Sequence, residues 1–278
     1  MYIGVDVGGS KTLLAVLDGH GVILESTKFP TPKNYDHFLL EVRHALAHFT
    51  NHDFKAGGAG IPAINLDRAR GRGISFGNLP WRNVPAQQDL EHIFKCPIVV
   101  ENDAKLAGLS ESMLIKEVYS KVLYVTVSTG IGYALIVNQT IDASLGDGGG
   151  RLLLAEHQGK LMPWEDFASG RAIVERYGKR ASEIEDSTTW RRICRDLAKG
   201  LIELIATTEP EVIVFGGSVG NYFGRFGELL DQELRRYHLP LLTRPALRGA
   251  QRPEEAVVYG CYDLAKQTFN HDHAAATR

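Results

Sequence analysis

The opening "YIGVDV", "GGSK" and "TLLAVLD" of residues 2–18 is echoed from residue 121 onward by "KVLYVTV" and "GYALIVN" around "STGIG". Each copy places two β-rich apolar runs on either side of a short turn of small residues, the signature of a hairpin. A strand, turn, strand unit that occurs twice constrains the chain to two related halves. With 278 residues the chain is long for one core and comfortable for two, since single cores stop growing at about 250–300 residues.

The first unit continues as a meander, with strands expected over residues 2–7, 12–18 and 21–28. In "NYDHFLLEVRHALAHF", residues 34–49, the spacing of Phe38, Leu39, Val42, Ala45, Leu46 and Phe49 predicts an amphipathic helix. "AGGAGIP" reads as a strand. A Gly- and Pro-rich passage over 57–85 leads to a helix at 85–95, a strand at 97–101 and a helix from about 103. The second unit is expected to add helices at 163–178 and 188–208, a strand at 211–217, a helix at 218–236 and a last helix over 253–267. Mixed sheets with helices, repeated twice, describe an α/β protein of two lobes with a cleft between them. The expected lobes are 1–117, joined by the C-terminal segment 253–278, and 118–252.

Charge and cysteine content narrow the function. Lys and Arg total 31 against 33 Asp and Glu, a net charge of −2, which leaves no electrostatic footprint for neutralising a nucleic-acid backbone. Cys96, Cys194 and Cys261 are too few and too far apart for a disulfide framework or a CxxC metal site. No basic segment followed by a long apolar run opens the chain, and no apolar run is long enough to span a bilayer. A cytoplasmic protein without a membrane partner is the expectation.

One stretch departs from plain patterning. "VVENDAKLAGLSE", residues 99–111, delivers Glu101, Asn102 and Asp103 together where a buried strand becomes a helix. Asn and Asp are preferred helix caps, and acids suit the positive end of a helix, so capping accounts for two of the three. A carboxylate at a strand end facing a cleft can instead accept a proton from a substrate.

Six ordered motifs, "IGVDVGGSKT" (3–12), "GNLPW" (77–81), "VENDAKLAGLSE" (100–111), "VSTGIG" (127–132), "WEDFASGRAI" (164–173) and "VIVFGGSVG" (212–220), resemble the ROK family of sugar kinases over nearly the whole chain. The resemblance implies the two-lobed actin-like ATPase fold, related to ribonuclease H, with ATP and Mg²⁺ as cofactors and a hexose or amino sugar as the phosphate acceptor. Asp103 would be the general base, ionised at neutral pH with an ordinary pKa of about 3.9. Gly8 and Gly9 would present N–H groups to phosphate, with Thr12 beside them, Lys11 would add a point charge, and Asp6 would hold Mg²⁺. "STGIG" offers a second loop, with Thr129, Gly130 and Gly132, while Gly216 and Gly217 would admit adenosine. A plain hairpin turn and tight strand-to-helix packing account for the same glycines. Asn78, Asn102 and Glu165 would hold sugar hydroxyls, and Trp81 would cover the ring.

The pattern fails in one place. Many members carry an ExGH segment and a cysteine cluster that builds a structural zinc site, and this chain has no cysteine between residues 97 and 193. No zinc site is expected. Two fits compete for the ExGH position: "GGGR", with Gly148, Gly150 and Arg151, and "AEHQG", with Glu156 and His157. Under the first, Arg151 can bind an anionic substituent; under the second, the carboxylate and imidazole are kept. Ala63 also stands where the family usually has glycine. Besides the kinase, two alternatives fit: a sugar-binding regulator acting through a protein partner, and a kinase using polyphosphate. The family's repressors carry an N-terminal DNA-binding domain, for which a core beginning at residue 2 is expected to leave no room. An apolar helix face on 188–208 would suit a homodimer.

Overall fold

The computed structural model describes residues 1–237, 243–252 and 254–270. Two compact units are present: Met1–Ser110 with Glu254–Arg278, and Glu111–Pro253. Of the C-terminal segment expected over 253–278, residue 253 and residues 271–278 lie outside the described residues.

The first unit runs β1 (Tyr2–Val7), β2 (Lys11–Leu17), β3 (Ile23–Pro30), α1 (Tyr35–Ala47), β4 (Ala56–Ile61), β5 (Ala63–Asp67), β6 (Arg72–Phe76), β7 (Arg82–Val84), α2 (Ala86–Phe94), β8 (Ile98–Asn102) and α3 (Asp103–Leu114), the last crossing its boundary. Its main sheet has the order β3-β2-β1-β4-β8, antiparallel on the β3 side of β1 and parallel on the other. Alternation along β1 sorts the core. Ile3, Val5 and Val7 pack with Phe38 and Val42 of α1, while Tyr2 joins Leu13, Ala15 and Leu17 beneath the C-terminal helix, Ala256–Phe269. Asp6 therefore lies on the face shared with Tyr2 and Gly4, at the end of the strand.

The second unit runs β9 (Lys121–Val127), β10 (Ile131–Val137), β11 (Thr140–Ile141), a 3₁₀ turn at Gly149–Arg151, β12 (Leu154–His157), β13 (Lys160–Pro163), α4 (Trp164–Ala168), α5 (Gly170–Tyr177), a second 3₁₀ turn at Ala181–Glu183, α6 (Ser187–Thr208), β14 (Val212–Gly216), α7 (Gly217–Gly220), α8 (Phe223–Leu234) and β15 (Ala246–Gly249). Its sheet order, β11-β10-β9-β14-β15, repeats the first in both sequence and direction. The echo of the two opening hairpins thus extends to five strands.

Several expectations need correction. The Gly- and Pro-rich passage after β4 is a small sheet, β5-β6-β7, and a hairpin, β12-β13, occupies a stretch given no element. The helix expected at 163–178 is broken at Ser169, whose buried Oγ accepts from the Ala172 N–H and caps α5. The helix expected at 218–236 is likewise two pieces. The apolar stripe of α6, including Trp190, Ile193, Leu197, Leu201 and Leu204, is buried in the unit's own core, so this helix offers no apolar face to a second copy. Among the described residues no helix is long and apolar enough to cross a membrane.

The strand β4, Ala-Gly-Gly-Ala-Gly-Ile, has weak β propensity and survives because it is buried at every position. Its glycines let the C-terminal helix press against it: a Cβ at Gly58 would lie 2.7 Å from Cys261 O and 2.8 Å from Cys261 Cα. Backbone cannot yield as a side chain can. Gly58→Val is therefore expected to cost at least about 1–3 kcal/mol of unfolding free energy, read from urea denaturation, whereas an unchanged midpoint would contradict this packing.

Candidate functional site

In the first unit, three parallel strands bring the polar cluster together. Asp6 of β1 registers with Gly60 of β4, and Gly60 with Glu101 of β8. Gly60 contributes no side chain, and a Cβ there would lie 3.5 Å from the Asp103 Cα. Asp6 feels the Asp103 charge. Burial, then the Asp103 charge, pushes the Asp6 carboxyl up to about 7, with Lys28 acting in the opposite direction. Burial likewise pushes Asp103 up to about 6, although its Oδ1 accepts the Ala104 N–H at 2.8 Å. The expected ordinary value for Asp103 is thereby corrected; at neutral pH it is still mostly ionised and a stronger base.

The neighbours of Asp103 take structural roles. Asn102 is the helix cap: its Oδ1 accepts from the N–H groups of Ala104 and Lys105 at 3.0 and 3.3 Å, and its Nδ2 donates to Ala63 O at 3.0 Å. Only one amide hydrogen is left for a hydroxyl. Glu101, nearly buried, accepts Arg68 in a fork, with Nε to Oε2 and a terminal nitrogen to Oε1 both at 2.7 Å. The capping expectation thus describes Asn102, and Asp103 is the member that is only partly buried.

The first loop behaves in part as a plain hairpin. The Gly8 N–H donates to Lys11 O at 2.9 Å and is not available to an anion. Thr12 is fully buried, its Oγ1 2.9 Å from that of Thr31, so it is a core residue and does not reach phosphate. Lys11 is exposed, and Gly9 lies against Asn78, which is also exposed. Trp81 corrects another expectation: it is buried among Tyr35, Phe38 and Phe76, ring centroids 5.1, 4.8 and 5.5 Å away, and covers no ligand.

The second unit carries the other loop and a cavity. Ser128 N–H donates to Gly130 O at 2.9 Å, and Gly170 N–H, opening α5, donates to Ser128 O at 2.7 Å. Ser128 and the exposed Thr129 line a cavity of about 400 Å³ with Arg171, Arg180, Ser218 and Tyr222. That volume lies in the usual range for small-molecule sites. Gly217 turns the chain into it with φ of +80°, where a Cβ would also meet Val127 O at 2.6 Å. Gly216 is buried, so its part is packing. The sequence reading missed Arg180 and Tyr222, which carry no pattern of their own; Arg171 and Ser218 stood inside quoted motifs.

Glu165 and Arg151 form the wall behind Gly130. Glu165, nearly buried, accepts Arg151 Nε on Oε1 at 3.0 Å and the Ile131 N–H on Oε2 at 3.3 Å. Oε2 lies 2.7 Å from where a Cβ on Gly130 would stand. Gly132 follows in β10, half-buried. Of the two fits left open, the first brings its arginine to Glu165. Glu156 and His157 do not join this group: Glu156 is exposed, accepting the Gly159 N–H and facing Lys199, and His157 stacks on Phe167 near Asp196.

Residues 2–268 match the ROK family. The chain belongs to that family. A glucokinase of Halalkalibacterium halodurans is 30% identical, with 97% of this chain and 96% of that one covered, and an N-acetylmannosamine kinase of Escherichia coli is 26% identical over 87% and 92%. The crystal structure of a ROK family glucokinase from Streptomyces griseus in complex with glucose and AMPPNP superposes with a TM-score of 0.80 at 25% identity, covering 96% of this chain and 99% of that one. The fold is the actin-like ATPase fold of the ROK sugar kinases.

Among the described residues no group of three or more His, Cys, Asp or Glu side chains is gathered to hold a metal ion. Asp6 fits Mg²⁺ in another way: it is a hard oxygen donor whose ionised form is disfavoured by burial and by Asp103, and a cation beside it would offset both.

The Arg68–Glu101 fork is checked by Arg68→Met, which leaves a buried carboxylate without its counter-ion. Stability measured by urea denaturation is expected to fall by about 3 kcal/mol and to recover in part in Arg68→Met/Glu101→Leu. No loss in the single variant would show that the fork is not holding the β8 end.

Proposed function

We propose that this sugar kinase of the ROK family transfers the γ-phosphoryl group of ATP to a hydroxyl of a hexose or amino sugar, with Asp103 as general base. The observation that carries the reading is the Asp103 carboxylate: partly exposed at the head of α3, yet desolvated enough for its pKa to rise to about 6. A base poised just below the working pH is ionised and still accepts a proton readily. Asn102, by capping α3, fixes where that carboxylate points.

ATP as donor is supported by the Thr129 cavity. The Thr129 and Ser218 hydroxyls and the Arg171 and Arg180 guanidinium groups suit phosphate and ribose oxygens, and Tyr222 supplies an aromatic ring for a base. Such a ring gives a polyphosphate chain nothing to use. Mg²⁺ would be held by Asp6 together with phosphate oxygens, and when bound it neutralises charge on the β- and γ-phosphates. Lys11 adds an exposed positive charge near the same strand end. As the sugar hydroxyl attacks, its proton passes to Asp103; Asn78 is the exposed amide available to orient a second hydroxyl. The glucokinase and N-acetylmannosamine kinase relatives support this acceptor class.

Two measurements test the proposal. A coupled assay of ADP release across glucose, mannose, fructose and the N-acetylated hexosamines is expected to show turnover with at least one, and Asp103→Asn to reduce it about 10²- to 10⁴-fold; sugar binding without ADP release would favour a regulator instead. The pH dependence follows from the sign of the shift. Because the raised pKa belongs to an acid that must be ionised to work, kcat/KM is expected to be level above neutrality and to fall as pH drops through about 6. A fall centred near 4 would mean that Asp103 is not desolvated in the working enzyme.

A further inference from the structure

The second unit holds another cavity, of about 390 Å³, and its lining is dominated by cations. Arg176, Arg192 and Arg195 face it, together with Gln158, Tyr177 and Asp196. None of these residues lines the Thr129 cavity. Three guanidinium groups against one carboxylate leave two positive charges in the lining.

The base of the cavity is fixed. Asp196 is buried, with its carboxylate bonded to Arg176 and 3.3 Å from His157 Nδ1. Arg176 is further tied by a terminal nitrogen to Phe167 O at 3.3 Å and approaches His157 Nε2 at 3.4 Å. The Asp196 charge is thus committed to the base. At the rim, Arg192 and Arg195 stand three residues apart on α6 and so share a face. Arg195 Nε reaches Glu233 only at 3.7 Å, and that carboxylate is shared with Arg236 at 3.1 Å. Among the described residues Arg192 has no carboxylate partner.

Guanidinium forks match phosphate oxygens two at a time, and a dianion would relieve Arg192, which has no carboxylate partner among the described residues, and Arg195, whose carboxylate is distant and shared. The volume, within the usual range of small-molecule sites, exceeds what inorganic phosphate alone would fill. Gln158, held with φ of +52° in the β12-β13 turn, and the half-buried Tyr177 ring supply an amide and an apolar face for an organic body. We propose that this cavity is a regulatory site for a small phosphate monoester.

A route to regulation lies in α5, eight residues long. Arg171 and Val174 of this helix line the Thr129 cavity, and Arg176 and Tyr177 line the second one. A ligand that fixes Arg176 therefore acts on an element that also shapes the first cavity, and any coupling must be reciprocal. This part rests on the reading that the Thr129 cavity takes the nucleotide.

Calorimetry on the full chain is the test, with glucose 6-phosphate, inorganic phosphate and glucose as separate probes, each in the presence and absence of AMPPNP. Glucose 6-phosphate is expected to bind more tightly than inorganic phosphate, to lose about tenfold or more in affinity in Arg192→Glu/Arg195→Glu, and to change the AMPPNP Kd in the wild type but not in that variant. Arg192→Gln/Arg195→Gln, expected to weaken binding in the same direction, guards against a fold defect, as does an unchanged AMPPNP Kd of either variant without phosphate. Absence of binding, binding undiminished by the variants, or an AMPPNP Kd indifferent to the ester would overturn the proposal. If the wild type fails to bind AMPPNP at all, the nucleotide reading fails, while the loss of ester affinity in the variants still reports on this site.

Discussion

Everything in the first unit turns on keeping Asp6 and Asp103 in one desolvated corner. Burial raises the pKa of both carboxylates, the Asp103 charge raises that of Asp6 further, and ionising them costs free energy, an arrangement that folding alone does not favour. The surroundings hold it in place. Parallel pairing of β1, β4 and β8 sets the strand ends side by side, the missing side chain at Gly60 lets Val257 and Leu106 pack there, and the Asn102 cap fixes the first turn of α3. The Arg68 fork neutralises Glu101, so the third acid adds no further repulsion.

The second unit solves a different problem with the same strand order. Its loop between β9 and β10 must stay open to solvent at Thr129 while its backbone is held, and the Gly170 N–H, the Glu165 carboxylate and Arg151 hold it from behind. Glu165 is thereby a buried, ion-paired group, with little capacity left to grip a neutral polyol. Both of its carboxylate oxygens are engaged, one by the Arg151 guanidinium and one by the Ile131 N–H. Arg151, which pairs with Glu165, keeps part of its side chain exposed.

Much of this was legible in the sequence. The duplicated hairpin forecast two units, and apolar spacing placed α1, α2 and α6 to within two residues. The motif at 99–111 marked a strand-to-helix junction that the structure reproduces. What failed were properties that depend on distant partners. Thr12 and Trp81 sit in suggestive motifs, yet the partners that bury them, Thr31 and the Tyr35–Phe38–Phe76 cluster, lie on other elements. The choice between Arg151 and Glu156 with His157 was undecidable along the chain, because it rests on how the 3₁₀ turn at Gly149–Arg151 packs against α4. The raised pKa of Asp103 likewise needs burial, which no local pattern encodes.

The most direct test of the central claim is a crystal structure of the protein with AMPPNP, Mg²⁺ and an accepted sugar. The account predicts one sugar hydroxyl oxygen within about 2.6–3.2 Å of an Asp103 carboxylate oxygen, in line with the γ-phosphorus. A sugar bound with no hydroxyl near Asp103, or with that carboxylate bonded only to main-chain amides, would contradict it.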